Sequence, residues 1–119
     1  MHIDDEIPIV FENETLAQGL IEMSQKALGM TAVVNKKGDL IGIFTDGDLR
    51  RRLEENIDIK RTLMHEVMTK DCTTVASNIL AVKAIEIIQA NKITSLIVAE
   101  DKKVVGALNI HDLFRAGVM

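Results

Sequence analysis

Aromatic residues are scarce in this sequence: tryptophan and tyrosine are absent, and phenylalanine occurs three times. Proteins that bind single-stranded nucleic acids usually stack the bases on exposed aromatic rings, so this kind of binding surface is missing. The formal net charge of -4 also argues against a general binder of the phosphate backbone. Because 47% of the residues are hydrophobic, we predict an aliphatic core and no nucleic-acid partner.

The sequence also lacks the features of secreted and membrane proteins. It has one cysteine, Cys72, which cannot form an intramolecular disulfide. No apolar run approaches the roughly 20 residues that a membrane-spanning helix needs. The first residues, MHIDDE, are acidic, unlike a signal or transit peptide. These absences predict a cytoplasmic protein that does not contact the membrane.

Motifs for metal binding and catalysis are missing as well. His2 and His65 have no cysteine or carboxylate partner at the spacing of metal ligands, so we predict no metal site. There is no nucleophile elbow, no glycine-rich phosphate loop and no Cys/His or Ser/His pair at motif spacing. We therefore expect no catalytic residues and no required cofactor in this chain.

The sequence does contain an internal repeat. The pattern of residues 16–51 recurs over 80–115 without a gap, which is hard to obtain by chance. Identical residues occupy matched positions, as in Leu16 and Leu80, Gly42 and Gly106, Asp48 and Asp112, and Arg51 and Arg115. Since each half is too small to bury a core alone, we expect the two to pack sheet against sheet with pseudo-twofold symmetry.

Hydrophobic periodicity predicts the order β-α-β-β-α in each half, an α+β fold. We predict helices at 16–28, 46–54, 80–90 and 110–116, and strands at 30–34, 40–44, 73–75, 95–99 and 104–108. The segment 7–11 contains the only proline and is expected to be an edge strand or no strand. The first repeat would span 1–55 and the second 56–119.

Each repeat ends its last strand in a polar corner. In the first, residues 42–48 read GIFTDGD, so a strand gives way directly to a helix. The free amides of a helix start favour an anion, and Thr45 and Asp48 place oxygens beside them. Helix capping alone would also explain this pair. Asn109 and Asp112 hold the matching positions, and two such corners facing one cleft suit a ribose and a phosphate.

Other side chains near the corners are candidates for ligand contact. Hydroxyl groups could face the sugar or base, and cationic groups could face the phosphate. These candidates are Thr31, Thr94, Ser95, Arg50 (or its neighbour Arg51), Lys92 and His111. The alternatives remain open that the arginines lie on a solvated helix face and that His111 is a surface residue in a first helical turn.

These patterns resemble a known family. Two β-α-β-β-α units that each close on Gly-apolar-apolar-(Thr/Asn)-x-x-Asp are similar to a tandem pair of CBS domains. The segments GMTAVV (29–34), GIFTDGDLRR (42–51) and NIHDLFRAG (109–117) further resemble the C-terminal CBS pair of bacterial arabinose 5-phosphate isomerases. The second corner departs from the family pattern, because Asn109 replaces the usual Thr or Ser.

The resemblance implies a regulatory module. CBS pairs generally bind nucleotides and often form flat homodimers, with Thr45 and Asp48 on the ribose and Asn109 and Asp112 as the second candidate pair. In the longer isomerases an N-terminal sugar-isomerase domain converts ribulose 5-phosphate to arabinose 5-phosphate, on the route to the lipopolysaccharide sugar Kdo. The expected effector is AMP, ATP or the pathway's activated product CMP-Kdo. The alternative is a structural dimerisation module without a ligand.

Overall fold

Two small mixed sheets, one from each repeat, pack against each other. The structure is a computed structural model that describes residues 3–70, 74–79, 81–91, 93 and 95–110. A short 3-10 helix at Asp4–Glu6, which the sequence did not suggest, precedes the first repeat. The first repeat contains β1 (Ile9–Phe11), α1 (Leu16–Lys26), β2 (Met30–Val34), β3 (Leu40–Thr45) and α2 (Asp46–Leu53). After α3 (Met64–Val67), the second contains β4 (Thr74–Val75), α4 (Ala81–Ala90), β5 (Ser95–Glu100) and β6 (Lys103–Asn109).

The two sheets share the same topology. In each three-stranded sheet the first strand is parallel to the central strand, which is antiparallel to the third. Val33 lies opposite Gly42 in the first sheet, and Val98 lies opposite Gly106 in the second. In both sheets, the register between the central and third strands shifts immediately after this valine, at Val33 in the first sheet and at Val98 in the second. The predicted α+β repeat is therefore confirmed, and β1 is the edge strand expected there. The predicted gapless alignment is wrong, because Val33, and not Val34, is the counterpart of Val98 once Gly42 is matched with Gly106. The predicted helix 110–116 lies outside the described residues apart from Ile110.

Helix α1 begins and ends where local chemistry favours it. The Thr15 side chain accepts a hydrogen bond from the Gln18 amide and caps the first turn. The sequence predicted a helix to residue 28, but α1 ends at Lys26. Ala27 adopts a left-handed conformation, with φ of 57°, and its amide donates to the Met23 carbonyl. That cap turns the chain out of the helix and into β2.

The core has three parts. The first helix–sheet core includes Leu16, Met23 and Phe44, and the second includes Ile88 and Leu96. A third cluster joins the sheets, since it contains residues of both repeats: Leu28, Met30, Ala32, Ile97 and Ala107. Because each central strand is covered on one face by helices and on the other by the opposite sheet, all five residues of β2 are buried.

The segment that follows α3 is tied to the first sheet. The backbones of Thr69 and Ile43 exchange two hydrogen bonds, of 2.9 and 2.8 Å. Gly42 makes this approach possible, because a Cβ atom there would lie 2.9 Å from the Thr69 carbonyl oxygen and 2.7 Å from the Met68 sulfur. The chain that connects the two repeats is therefore held against the strand that leads to the first polar corner.

Candidate ligand-binding site between the repeats

The first corner is built around the start of α2. Thr45 ends β3 in an extended conformation, and its hydroxyl oxygen accepts from the Asp48 amide at 3.2 Å. In return, the Asp48 carboxylate accepts from the Thr45 amide at 2.9 Å. This is a reciprocal capping box, so the capping interpretation of the pair holds in this structure. Asp48 is only 7% exposed, which is unusual for a carboxylate on an eight-residue helix.

Asp48 has two further partners, and both lie at the surface. The Arg51 guanidinium contacts the carboxylate from the next turn of α2. The Thr69 hydroxyl donates one long, bifurcated hydrogen bond to the two carboxylate oxygens, at 3.4 and 3.5 Å. The Arg51 side chain is 68% exposed, and Thr69 is exposed too. An incoming pair of ribose hydroxyls can therefore replace these two donors without disturbing the helix cap.

The second corner is a buried polar pair. Asn109 ends β6 and lies opposite Ser95, the first residue of β5. The Asn109 amide donates to the Ser95 hydroxyl at 3.0 Å, and that hydroxyl donates to the Leu28 carbonyl at 2.8 Å. Leu28 belongs to the first repeat, so this corner is tied directly across the boundary between the repeats. Asp112 lies outside the described residues, and its position relative to Asp48 stays a prediction.

One backbone segment is hydrogen-bonded to both corners. The Leu28 carbonyl accepts from Ser95 of the second repeat. The next carbonyl, of Gly29, accepts from the Asp46 amide at the start of α2, at 3.0 Å. Gly29 has φ of 73°, a conformation that glycine adopts without strain. The two corners therefore border the same turn between α1 and β2.

The remaining candidates differ in accessibility. Thr31 is fully buried, and its hydroxyl donates to the Ala32 carbonyl at 3.2 Å. Arg50 is exposed and makes no ion pair with the described residues, whereas its neighbour Arg51 is the one that contacts Asp48. Three other candidates, Lys92, Thr94 and His111, lie outside the described residues.

Sequence reasoning missed two parts of the site. Thr69 reaches Asp48 from the segment after α3, which lies outside the aligned ranges 16–51 and 80–115, so neither periodicity nor the repeat alignment could identify it. The carbonyls of Leu28 and Gly29 act through the backbone and carry no side-chain signal. The left-handed residues Ala27 and Gly29 mark this turn only once the backbone is known.

Within the described part of the chain, no cluster of three or more His, Cys, Asp or Glu side chains is arranged to hold a metal ion. None of the helices in the same ranges has the length and hydrophobicity needed to span a membrane.

Sequence comparison finds relatives along the whole chain. An arabinose 5-phosphate isomerase, KdsD, of Pseudomonas aeruginosa is 48% identical over 120 residues, covering 100% of this chain and 37% of the relative. KdsD of Escherichia coli K12 is 42% identical over 119 residues, covering 100% of this chain and 36% of the relative. The chain thus spans little more than a third of the length of the curated relatives it matches.

Solved structures share the fold. A CBS-domain-containing protein of Agrobacterium tumefaciens superposes with a TM-score of 0.83 at 20% identity, covering 97% of this chain and 85% of that one. The protein CBSX2, solved in complex with AMP, superposes with a TM-score of 0.81 at 20% identity, covering 99% and 92%. The CBS domain family model matches residues 2–55 and 64–118. The chain therefore belongs to the CBS domain family, as a tandem pair of CBS domains.

Proposed function

We propose that this CBS pair is a regulatory module that binds an effector containing ribose and phosphate in the groove between the repeats. The effector would be an adenine nucleotide, AMP or ATP, or the sugar nucleotide CMP-Kdo. Thr45 and Asp48 would hold the ribose, with Asn109 and Asp112 as the second candidate pair. The free cation of Arg50 would face the phosphate, together with Lys92 and His111.

The observation that carries this proposal is the environment of Asp48. A carboxylate that is 7% exposed is costly to bury unless its hydrogen bonds are satisfied. Here the amide and the hydroxyl of Thr45 both donate to one carboxylate oxygen, while two exposed donors, Arg51 and Thr69, contact the other. Such a carboxylate is held in place for a ligand and has exchangeable partners when the ligand is absent.

The comparisons with known proteins support the proposed class of ligand and the proposed parent enzyme. CBSX2 binds AMP, and its fold covers nearly all of this chain. The KdsD relatives are about three times as long, which leaves room for a sugar-isomerase domain beside the CBS pair. We propose that such a domain belongs to the same parent chain, that it interconverts ribulose 5-phosphate and arabinose 5-phosphate in the cytoplasm, and that the effector adjusts its activity.

Calorimetric titration tests whether the chain binds one of the proposed effectors. The 119-residue chain is titrated with AMP, ATP, CMP and CMP-Kdo, and at least one should give saturable heat. A ligand that binds only the folded state should also raise the midpoint of thermal unfolding. The same titration with Asp48→Asn should show affinity weaker by about 1–3 kcal/mol, because a hydrogen bond to a charged group is lost.

Asp46→Asn is the matched control. Asp46 lies two residues away in the same first helical turn, but its side chain is exposed and makes no ion pair with the described residues. Its removal should leave affinity nearly unchanged. The absence of heat with all four nucleotides, or equal losses in the two variants, would contradict the proposed site.

A structural dimerisation module is the second candidate function. Ile21 on α1 is 50% exposed and Val82 on α4 is 60% exposed, so each of the two long helices presents an apolar side chain to solvent. We propose that these faces join two copies. Light scattering should then report a dimer that Ile21→Glu or Val82→Glu converts to a monomer, while Asn56→Asp, which adds a negative charge at an exposed position outside both helices, leaves the dimer intact.

A further inference from the structure

The first repeat carries an open pocket at the end of its sheet that is far from the two corners. Its volume is about 470 Å³, and its lining includes Phe11, Asn13, Asn35, Lys36, Lys37 and His65. Strand β2 runs from the corner to this end over five residues. At about 3.3 Å per residue, the pocket lies roughly 15 Å from the start of the strand. It is therefore a separate place on the molecule.

Positive charge collects at this pocket. Lys36 and Lys37 are exposed and make no ion pair with the described residues, and His65 approaches from α3. The Asp39 carboxylate, also in the lining, is already compensated by the Lys103 ammonium at 2.7 Å. The lining therefore carries two lysines without an ion-pair partner and one further carboxylate, Glu12, and the excess of positive charge attracts anions such as a phosphate group.

The pocket also offers groups suited to the rest of a ligand. Phe11 is 48% exposed, so a ring face is available for the C–H face of a sugar. The Asn35 amide oxygen already accepts from the backbone amides of Lys37 and Asp39, which leaves its NH₂ group to donate. The Glu12 carboxylate in the lining would repel a bare anion but accept hydrogen bonds from hydroxyl groups.

The second repeat provides an internal comparison. Counted along the central strands from the matching valines Val33 and Val98, Lys36 corresponds to Asp101 and Lys37 to Lys102. The two hairpins thus differ in charge at the first of these positions although the sheets share one topology. Sheet geometry does not require a lysine at position 36, so its positive charge is specific to the pocket of the first repeat.

We propose that this pocket is a second ligand site and takes a small phosphorylated sugar or polyol. Lys36, Lys37 and His65 would contact the phosphate. Glu12 and Asn35 would bond the hydroxyl groups, and Phe11 would lie under the apolar face of the ligand. The site is independent of the nucleotide groove, since it uses none of the same residues.

NMR titration of the ¹⁵N-labelled 119-residue chain tests this proposal, with ribose 5-phosphate as the probe. The amide shifts should move at 11–13, 35–37 and 65. Lys36→Glu combined with Lys37→Asp reverses both charges and should weaken binding roughly tenfold or more. Phe11→Ala, at an exposed position, should weaken it less. Lys60→Glu with Arg61→Asp makes the same change in net charge outside the pocket lining and should leave affinity unchanged.

Three outcomes would overturn the proposal. Shifts confined to the neighbourhood of Thr45 and Asp48 would assign the probe to the groove. If ribose 5-phosphate bound the Lys36/Lys37 variant and the Lys60/Arg61 control variant with equal affinity, net charge alone would explain the attraction. Equal affinity for inorganic phosphate would remove the role of the sugar. Because the readout is position-specific, these results can be distinguished from failure of the nucleotide site.

Discussion

At the scale of single residues, two glycines of the first corner differ in how closely other atoms pack against them. Gly42 lies in β3, where the Thr69 backbone and the Met68 side chain occupy the space that a Cβ atom would need. Gly47 lies in the first turn of α2, where a Cβ atom would meet its nearest neighbour at 3.6 Å, an ordinary contact. The same residue type is thus needed for close packing at one position and replaceable at the other.

Alanine substitutions at these two glycines should therefore change stability in opposite directions. Gly42→Ala forces the connecting segment away from β3 and should lower the free energy of unfolding by about 1–3 kcal/mol. Gly47→Ala should raise it by up to about 1 kcal/mol, since alanine favours the helix. Urea unfolding followed by circular dichroism measures both. A Gly42→Ala protein as stable as the parent chain would show that Thr69 is not held against the strand.

At the scale of elements, the two hairpins differ within otherwise matching sheets. The first turn uses Gly38, with φ of 82°, and the Asn35 side chain accepts from two backbone amides. The second is tighter: Glu100 pairs with Lys103, and Asp101 and Lys102 both have positive φ. Two consecutive left-handed residues are typical of a type I′ turn. The turn predicted at 100–103 therefore has only its two central residues outside the ladder.

At the start of α1, the Thr15 cap should contribute measurably to the stability of the protein. Thr15→Ala removes the oxygen that accepts from the Gln18 amide and should lower the free energy of unfolding by about 1 kcal/mol. Thr15→Ser retains that oxygen and should cost much less. Chemical denaturation of the three proteins measures the difference. If serine and alanine cost the same, the threonine contributes through its methyl group and not as a cap.

At the scale of the whole molecule, the hairpins of the two repeats are linked to each other. The Leu40 amide donates to the Lys102 carbonyl at 2.7 Å, and Lys103 pairs with Asp39. The hydrogen bond from the Lys103 ammonium holds the pKa of Asp39 below its ordinary value. At the opposite end, Ser95 binds the Leu28 carbonyl. Polar contacts therefore fix both ends of the apolar interface between the sheets.

The lowered pKa of Asp39 predicts a dependence of stability on pH. The folded state releases this proton more readily than the unfolded state, so the pair stabilises the fold above the unfolded pKa of about 3.9. The contribution is lost as the pH falls below that value and through the folded pKa. Asp39→Asn should thus be less stable than the parent chain at pH 6, and the difference should disappear towards pH 2.

Thermal unfolding between pH 2 and 7 measures this difference. Glu54→Gln is the control, because Glu54 is exposed and makes no ion pair with the described residues. That variant should follow the parent chain at every pH. A gap between Asp39→Asn and the parent chain that persists at pH 2 would mean that the aspartate acts through its shape and not its charge.

The order of elements, the repeat and the first polar corner could be predicted from the sequence because their signals are local. Apolar spacing marked α1, β2 and β3, and Thr45 followed by Asp48 marked the start of α2. The predicted end of α1 was less accurate. The helix ends at Lys26 because Ala27 adopts the left-handed cap conformation, and an alanine does not mark a turn in the sequence. Local chemistry also left both the capping and the ligand interpretations of Asp48 open.

Only the tertiary structure decided what surrounds the corners. It brings Thr69 to Asp48 and seats Ser95 on the Leu28 carbonyl of the other repeat. It also brings Phe11, Lys36 and His65 of α3 together around a pocket that no sequence motif indicated. The sequence by itself determined two copies of one α+β unit, because hydrophobic periodicity and capping act between near neighbours. The partners of buried polar groups depend on how the copies pack, and that is settled by contacts between residues far apart in the chain.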